Sequence, residues 1–190
     1  MAYRPSLSVI ACALLAAPAL GQESRISEDV GSFSFTLSGR SVTIDRRGAA
    51  CPPACLQPMQ AASGVSTIGE LELLDFLDLF VSTGQGLLID ARLPDGFAMG
   101  TVPGAVNVPF ATLRPDNPYR DDLLAALGVR NGDFGGAFDL VLFAGGADSP
   151  EAPQALRSLI DAGYPASKLK YYRGGMTAWQ GYGLTVVPGQ

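Results

Sequence analysis

Two short, wholly apolar runs, Leu87-Leu88-Ile89 and Leu140-Val141-Leu142-Phe143, constrain this chain more than any other feature. A strand with water on one side alternates apolar and polar residues, whereas a strand with no polar side is covered on both, as in a parallel sheet flanked by helices. Helical patterns lie around and between these runs. Thr67-Ile68-Gly69-Glu70 has the spacing of a capping box, in which a Thr hydroxyl and a Glu carboxylate satisfy free donors at a helix start. That spacing predicts a helix from Ile68 to about Phe80, with Leu73, Leu74, Phe76, Leu77 and Phe80 facing a core and Glu72, Asp75 and Asp78 forming a solvated stripe. Gly84 and Gly86 end it. Asp121 to Leu127 reads as one or two helical turns. Pro150 to Ala162 reads as a helix that places proline first, where no donor is lost, behind Ser149 as its N-cap. Lys170 to Tyr172 is a third strand candidate and Met176 to Gly181 a short final helix. The alternation of strands and helices predicts an α/β fold with a parallel sheet flanked by helices, and the length suits one main domain.

The first residues do not belong to that pattern. Arg4 supplies a positive start, Leu7 to Leu15 a short apolar run, and Ala19-Leu20-Gly21 the small residues that a signal peptidase inspects. Residues 1–21 are read as a cleaved secretory signal peptide, since the apolar run falls short of the roughly 20 residues a membrane span needs. Cys12 lies within that run and would leave with it. The expectation is a soluble exported protein, periplasmic if the source is a Gram-negative bacterium. Residues 22–32 are polar and aperiodic, as in a flexible leader. Phe33, Phe35 and Leu37 then alternate with Ser and Thr, Ser38-Gly39 turns the chain, and Val42 and Ile44 resume the alternation: a β-hairpin with one apolar face. The expected organisation is therefore signal peptide at 1–21, leader, hairpin and cysteine segment at 22–65, and main domain at 66–190.

Charge and composition exclude several functions. The formal net charge is −5, and removal of the signal, which holds Arg4 and no acid, makes it one unit more negative. With no basic cluster, nucleic-acid binding is not expected. Histidine is absent from the sequence, which rules out imidazole-based triads and His-ligated metal sites. No cofactor is expected.

Two cysteines remain beyond the signal, in Cys51-Pro52-Pro53-Ala54-Cys55, followed by Gln57-Pro58-Met59. Three readings of this segment stand side by side. Export favours a disulfide, structural or redox-active. Two thiolates with Met59 offer the soft ligands that select Cu(I). A persulfide carried on Cys51 or Cys55 is the third.

At Asp90-Ala91-Arg92, Gly100-Thr101-Val102-Pro103-Gly104-Ala105 and Gly174-Gly175-Met176-Thr177-Ala178-Trp179, the chain resembles the rhodanese family of sulfurtransferase domains, over roughly Thr67 to Val187 and in the family's order. Each motif also has a structural reason to exist. Asp90 and Arg92 at a strand end can pair or clamp nearby loops; Gly100, Pro103 and Gly104 set a tight return; Gly174 and Gly175 let the last helix pack closely; Trp179 fills the core. The resemblance implies a cysteine at the end of the central strand that takes sulfane sulfur as a persulfide. It also implies a six-residue loop whose converging N–H groups favour the thiolate and an anionic substrate.

That loop here is Ala144-Gly145-Gly146-Ala147-Asp148-Ser149, with Ala144 at the usual cysteine position and Ser149 at the loop's end. Neither is a thiol. A serine nucleophile needs an activating base, which a chain without histidine lacks, and Asp148 adds a negative charge where an anionic donor would sit. The expectation is an exported rhodanese-like domain, a pseudoenzyme resembling thiosulfate sulfurtransferases. Its use would be binding a protein or small-anion partner, Gly145-Gly146 leaving the loop backbone open to a ligand. The alternative is thiol redox, sulfur-carrier or Cu(I) chemistry at Cys51 and Cys55.

Overall fold

A computed structural model describes residues 30–48, 51 and 55–190. The expected signal peptide, and the leader before Val30, lie outside the described residues. Strands β1 (Ser32–Leu37) and β2 (Arg40–Asp45) form the expected antiparallel hairpin. Ser38 and Gly39 both take positive φ at its turn, which matches the strands' right-handed twist. Phe33 lies opposite Ile44 and Phe35 opposite Val42, so the apolar side chains share one face. Phe35 and Ile44 remain 39% and 50% exposed.

The main domain is a five-stranded parallel sheet of β3 (Ser66–Ile68), β4 (Gly86–Asp90), β5 (Ala105–Asn107), β6 (Asp139–Phe143) and β7 (Leu169–Tyr172), in the order β3-β7-β6-β4-β5. Both apolar runs occupy the buried interior of the sheet. Their alternate residues serve two cores: Leu88, Val141 and Phe143 pack with Leu73, Phe76, Met176 and Trp179 on one face, while Ile89, Leu140 and Leu142 pack with Leu124, Leu156 and Leu159 on the other. Helices α1 (Glu70–Phe76) and α5 (Gly175–Gly181) therefore cover the first face. Helices α3 (Arg120–Ala126) and α4 (Glu151–Asp161) cover the second, and the short α2 (Pro94–Met99) sits in the β4–β5 connection.

Several local expectations shift. Thr67 does not cap α1, because pairing opposite Tyr171 draws it into β3 and its hydroxyl donates to the Met59 carbonyl. The helix starts at Glu70 instead, and the Glu72 carboxylate accepts the Gly69 N–H at 3.0 Å. Beyond Phe76 it widens through Leu77–Val81, with Ser82 N–H bonding to Leu77 O five residues back. Leu74, expected in the core, is 44% exposed. Pro150 rather than Ser149 is the N-cap of α4, and no side chain caps that helix. Strands β3 and β5 and helix α2 are too short to carry a period of their own.

One buried carboxylate organises the carboxyl edge of the sheet. Asp90 accepts Arg92 Nε at 2.9 Å and Nη2 at 2.5 Å, the Arg92 N–H at 3.1 Å and the Thr101 hydroxyl at 2.8 Å. Arg92 Nη2 also reaches Gly100 O at 2.7 Å, and Asn107 Nδ2 bonds to the carbonyls of Asp90 and Arg92. Thr101 pairs with Val187, drawing the C-terminal segment onto the same return. Trp179 is buried, with its indole N–H on Thr185 O at 2.7 Å.

Truncation of Asp90 to Ala leaves the Arg92 guanidinium and the Thr101 hydroxyl without their shared acceptor. The expected loss is about 3 kcal/mol, or roughly 6–12 °C in melting temperature for a chain of this size, measured by circular dichroism. Alkali should also weaken the fold. Burial pushes the Tyr171 phenol up to about 12 from 10.0, and raises Tyr164 and Tyr172 as well, chiefly for the same reason. Because the fold favours the protonated phenol, this stability is fully present below pH 10 and is lost as the pH rises from there through about 12. A melting temperature that stays flat across that window would contradict the assignment.

Candidate functional site

The chain leaves β4 towards β5 and leaves β6 in the opposite direction, towards β7. In open parallel sheets, ligands bind outside the carboxyl ends of strands at such a reversal. Here that position holds the segment Ala144–Ser149, directly after β6.

The start of α5 fixes the base of this loop. Met176 N–H donates to Ala144 O at 3.0 Å, and the Thr177 N–H and hydroxyl both donate to Gly145 O at 2.8 Å. This approach explains Gly175: its φ is +56°, and a Cβ there would run into the Ala144 carbonyl and lie 2.9 Å from Gly146 N. Gly174 meets the Ala178 side chain in the same way. Gly175 is thus the point at which helix and loop touch, while Gly174 makes room inside the helix start.

Inside the loop, Ser149 Oγ accepts the Gly146 N–H at 3.0 Å, and Ser149 N–H returns to Gly146 O at 3.1 Å. The hydroxyl therefore closes the loop upon itself instead of capping α4. It also takes up the Gly146 N–H, which is then not free to bind an anion. Ala144 is buried, whereas Asp148 is exposed.

The cysteine segment meets this loop. Cys51 and Cys55 are joined as a disulfide with Cα atoms 4.8 Å apart, within the normal span of such a bridge. Gln57 Nε2 donates to Cys55 O at 2.8 Å, Gln57 N–H donates to Ala147 O at 2.9 Å, and Arg173 Nε and Nη2 donate to Gln57 O at 3.1 and 2.8 Å. Farther along, Arg157 holds Ala61 O at 3.2 Å, and Ala61 and Val65 enter the core. Residues 55–65 therefore form a strap that meets the carboxyl end of the sheet at Gln57 and continues to the start of β3. With both sulfurs in the bridge, no thiolate pair faces Met59, which is 56% exposed. Among the described residues there is no cluster of three or more His, Cys, Asp or Glu side chains suited to a metal. No described helix is long and apolar enough to cross a membrane.

Beside the strap, Tyr171 Oη and Glu151 Oε2 are buried without a hydrogen-bond partner. Burial dominates the rise of the Tyr171 phenol; Arg173 and Arg157 oppose it and Glu151 adds to it. The loop, Asp90, Arg92, the glycines and Thr177 all stand in motifs visible in the sequence. Arg173, Glu151 and Tyr171 carry no local signal of a site role, although Arg173 lies between the last strand and Gly174-Gly175.

Comparison with known proteins fits this architecture. An HTH-type transcriptional regulator of Mycobacterium tuberculosis is 35% identical over 106 residues, covering 56% of this chain and 39% of the regulator. The chain thus spans about two fifths of that relative's length. A Bacillus halodurans protein of known structure superposes with a TM-score of 0.51 at 14% identity, covering 65% of this chain and 77% of that one, a likeness of fold alone. Thiosulfate sulfurtransferase of Pseudomonas aeruginosa gives a TM-score of 0.47 at 19% identity, over 70% of this chain and 22% of that one. Residues 74–182, more than half of the chain, match the rhodanese-like domain family, and the chain belongs to it.

Proposed function

We propose that this is an exported rhodanese-like protein that works by binding and does not transfer sulfur. The observation that carries the reading is the loop after β6: Ala144 and Ser149 stand at its two ends and neither is a thiol. Sulfane-sulfur transfer needs a nucleophile that can hold a sulfur atom, and a hydroxyl without a base supplies neither property. Two further contacts support it. Ser149 Oγ engages the Gly146 N–H, and Gln57 ties the strap to Ala147.

The use that fits a closed, thiol-free loop is recognition of a protein or small anion at the carboxyl edge of the sheet, with Arg173 as the nearby cation. The relative from Mycobacterium tuberculosis is named a transcriptional regulator. DNA binding does not carry over to this chain, because its net charge is −5 and its sequence shows no basic cluster. Export rests on Arg4, the apolar run Leu7 to Leu15 and Ala19-Leu20-Gly21, and the Cys51–Cys55 disulfide suits an oxidising compartment.

Two expected outcomes test this reading. Purified protein should show no thiosulfate:cyanide sulfur transfer, and turnover that survives replacing both Cys51 and Cys55 with Ala would overturn the account of the loop. Expressed from its full sequence in a Gram-negative host, the protein should be recovered from the periplasm with Gln22 as its first residue by N-terminal sequencing. Recovery from the cytoplasm with the first 21 residues still attached would refute export.

A further inference from the structure

We infer that the Cys51–Cys55 disulfide is a thiol–disulfide exchange site, presented on the strap beside the closed loop, that passes two electrons to and from a thiol partner. The inference goes beyond the binding role and does not depend on it.

Three observations carry it. The bridge joins residues four apart, so its ring lies within one segment and ties together no two strands or helices. Stabilisation by a cross-link grows with the length of chain it closes, and a ring this short contributes little to holding the domain. Both cysteines are partly exposed, which gives an attacking thiolate a path to sulfur. Cys55 is also tied to the loop after β6: Cys55 O is bonded to Gln57 Nε2, and the Gln57 backbone is fixed on one side by Ala147 O and on the other by Arg173. A bridge that does little for the fold, yet is partly exposed and tied through Cys55 and Gln57 to the loop after β6, is arranged for chemistry.

The step balances without any further reagent. A partner thiolate attacks one bridge sulfur; the Cys51–Cys55 bond breaks as a mixed disulfide forms, and the released cysteine thiolate takes up a proton. A second partner thiolate then attacks the partner sulfur of the mixed disulfide, releasing the other cysteine as a thiolate that is protonated in turn. Cys51 and Cys55 end as two thiols and the partner's two thiols as a disulfide, with two electrons and two protons transferred. An oxidised partner drives the same steps in reverse. The reduced pair would regain the thiolates that sulfur-carrier or Cu(I) binding requires.

The test uses the mature chain and glutathione as the thiol probe. Protein is equilibrated across graded ratios of reduced to oxidised glutathione, alkylated, and read by mass spectrometry, with melting followed on the same samples. The expected result is that Cys51 and Cys55 become alkylated together within that range while the fold persists, the melting temperature of the reduced form lying within roughly 3 °C of the oxidised form. A bridge that stays closed in excess reduced glutathione would overturn the proposal, as would reduction that unfolds the domain. The Cys51→Ala/Cys55→Ala protein separates a folding defect from an exchange defect: it should keep the native circular dichroism spectrum, and loss of that spectrum would mark the bridge as structural.

Discussion

The buried carboxylate of Asp90 is the interaction on which the working edge of this protein depends. A charge with no exposure survives only when its acceptor sites are filled, and here the Arg92 guanidinium and N–H with the Thr101 hydroxyl fill them. Each partner brings a loop with it. Arg92 fixes the turn after β4 and reaches Gly100; Thr101 carries the return to β5 and, through Val187, the C-terminal segment. Next to this hub, Ala91 N–H donates to Phe143 O at 2.9 Å, joining the end of β4 to the residue from which the candidate loop departs.

From that base the loop is held in three directions. The first amides of α5 hold Ala144 O and Gly145 O from one side, Ser149 closes the interior, and Gln57 holds Ala147 O from the strap. Gly175 makes the first of these possible, because no side chain fits between the helix start and the Ala144 carbonyl. The presence of the glycine and aspartate motifs is therefore explained by how this domain is packed. Packing of this kind supports the fold without implying turnover, since function belongs to a site and not to its scaffold.

Much of the architecture was legible in the residues. Leu87-Leu88-Ile89 and Leu140 to Phe143 announced buried parallel strands because a strand covered on both faces has no polar side to show. The hairpin was legible through its alternation and Ser38-Gly39, and the Asp90–Arg92 pair through its place at a strand end. The misreadings arise where another contact competes with the local pattern or where no neighbour covers an apolar side chain. Thr67 has the spacing of a cap but joins β3, paired with a strand more than a hundred residues away. Ser149 precedes a proline-led helix but finds a nearer donor in Gly146 N–H. Leu74 has an apolar side chain at a helical spacing but lies on the uncovered side of α1, 44% exposed.

By itself, then, the sequence determined the fold class, the family motifs, the lack of histidine and the lack of a thiol in the loop after β6, because each follows from residue type and local spacing. Only the tertiary structure decided that the cysteine segment lies across that loop. Gln57, Ala147 and Arg173 are separated by some ninety and twenty-five positions in the chain, and no local pattern links them; the parallel sheet brings their backbones within hydrogen-bond reach. The same long-range packing brings Cys55, through Gln57, beside the carboxyl end of the sheet.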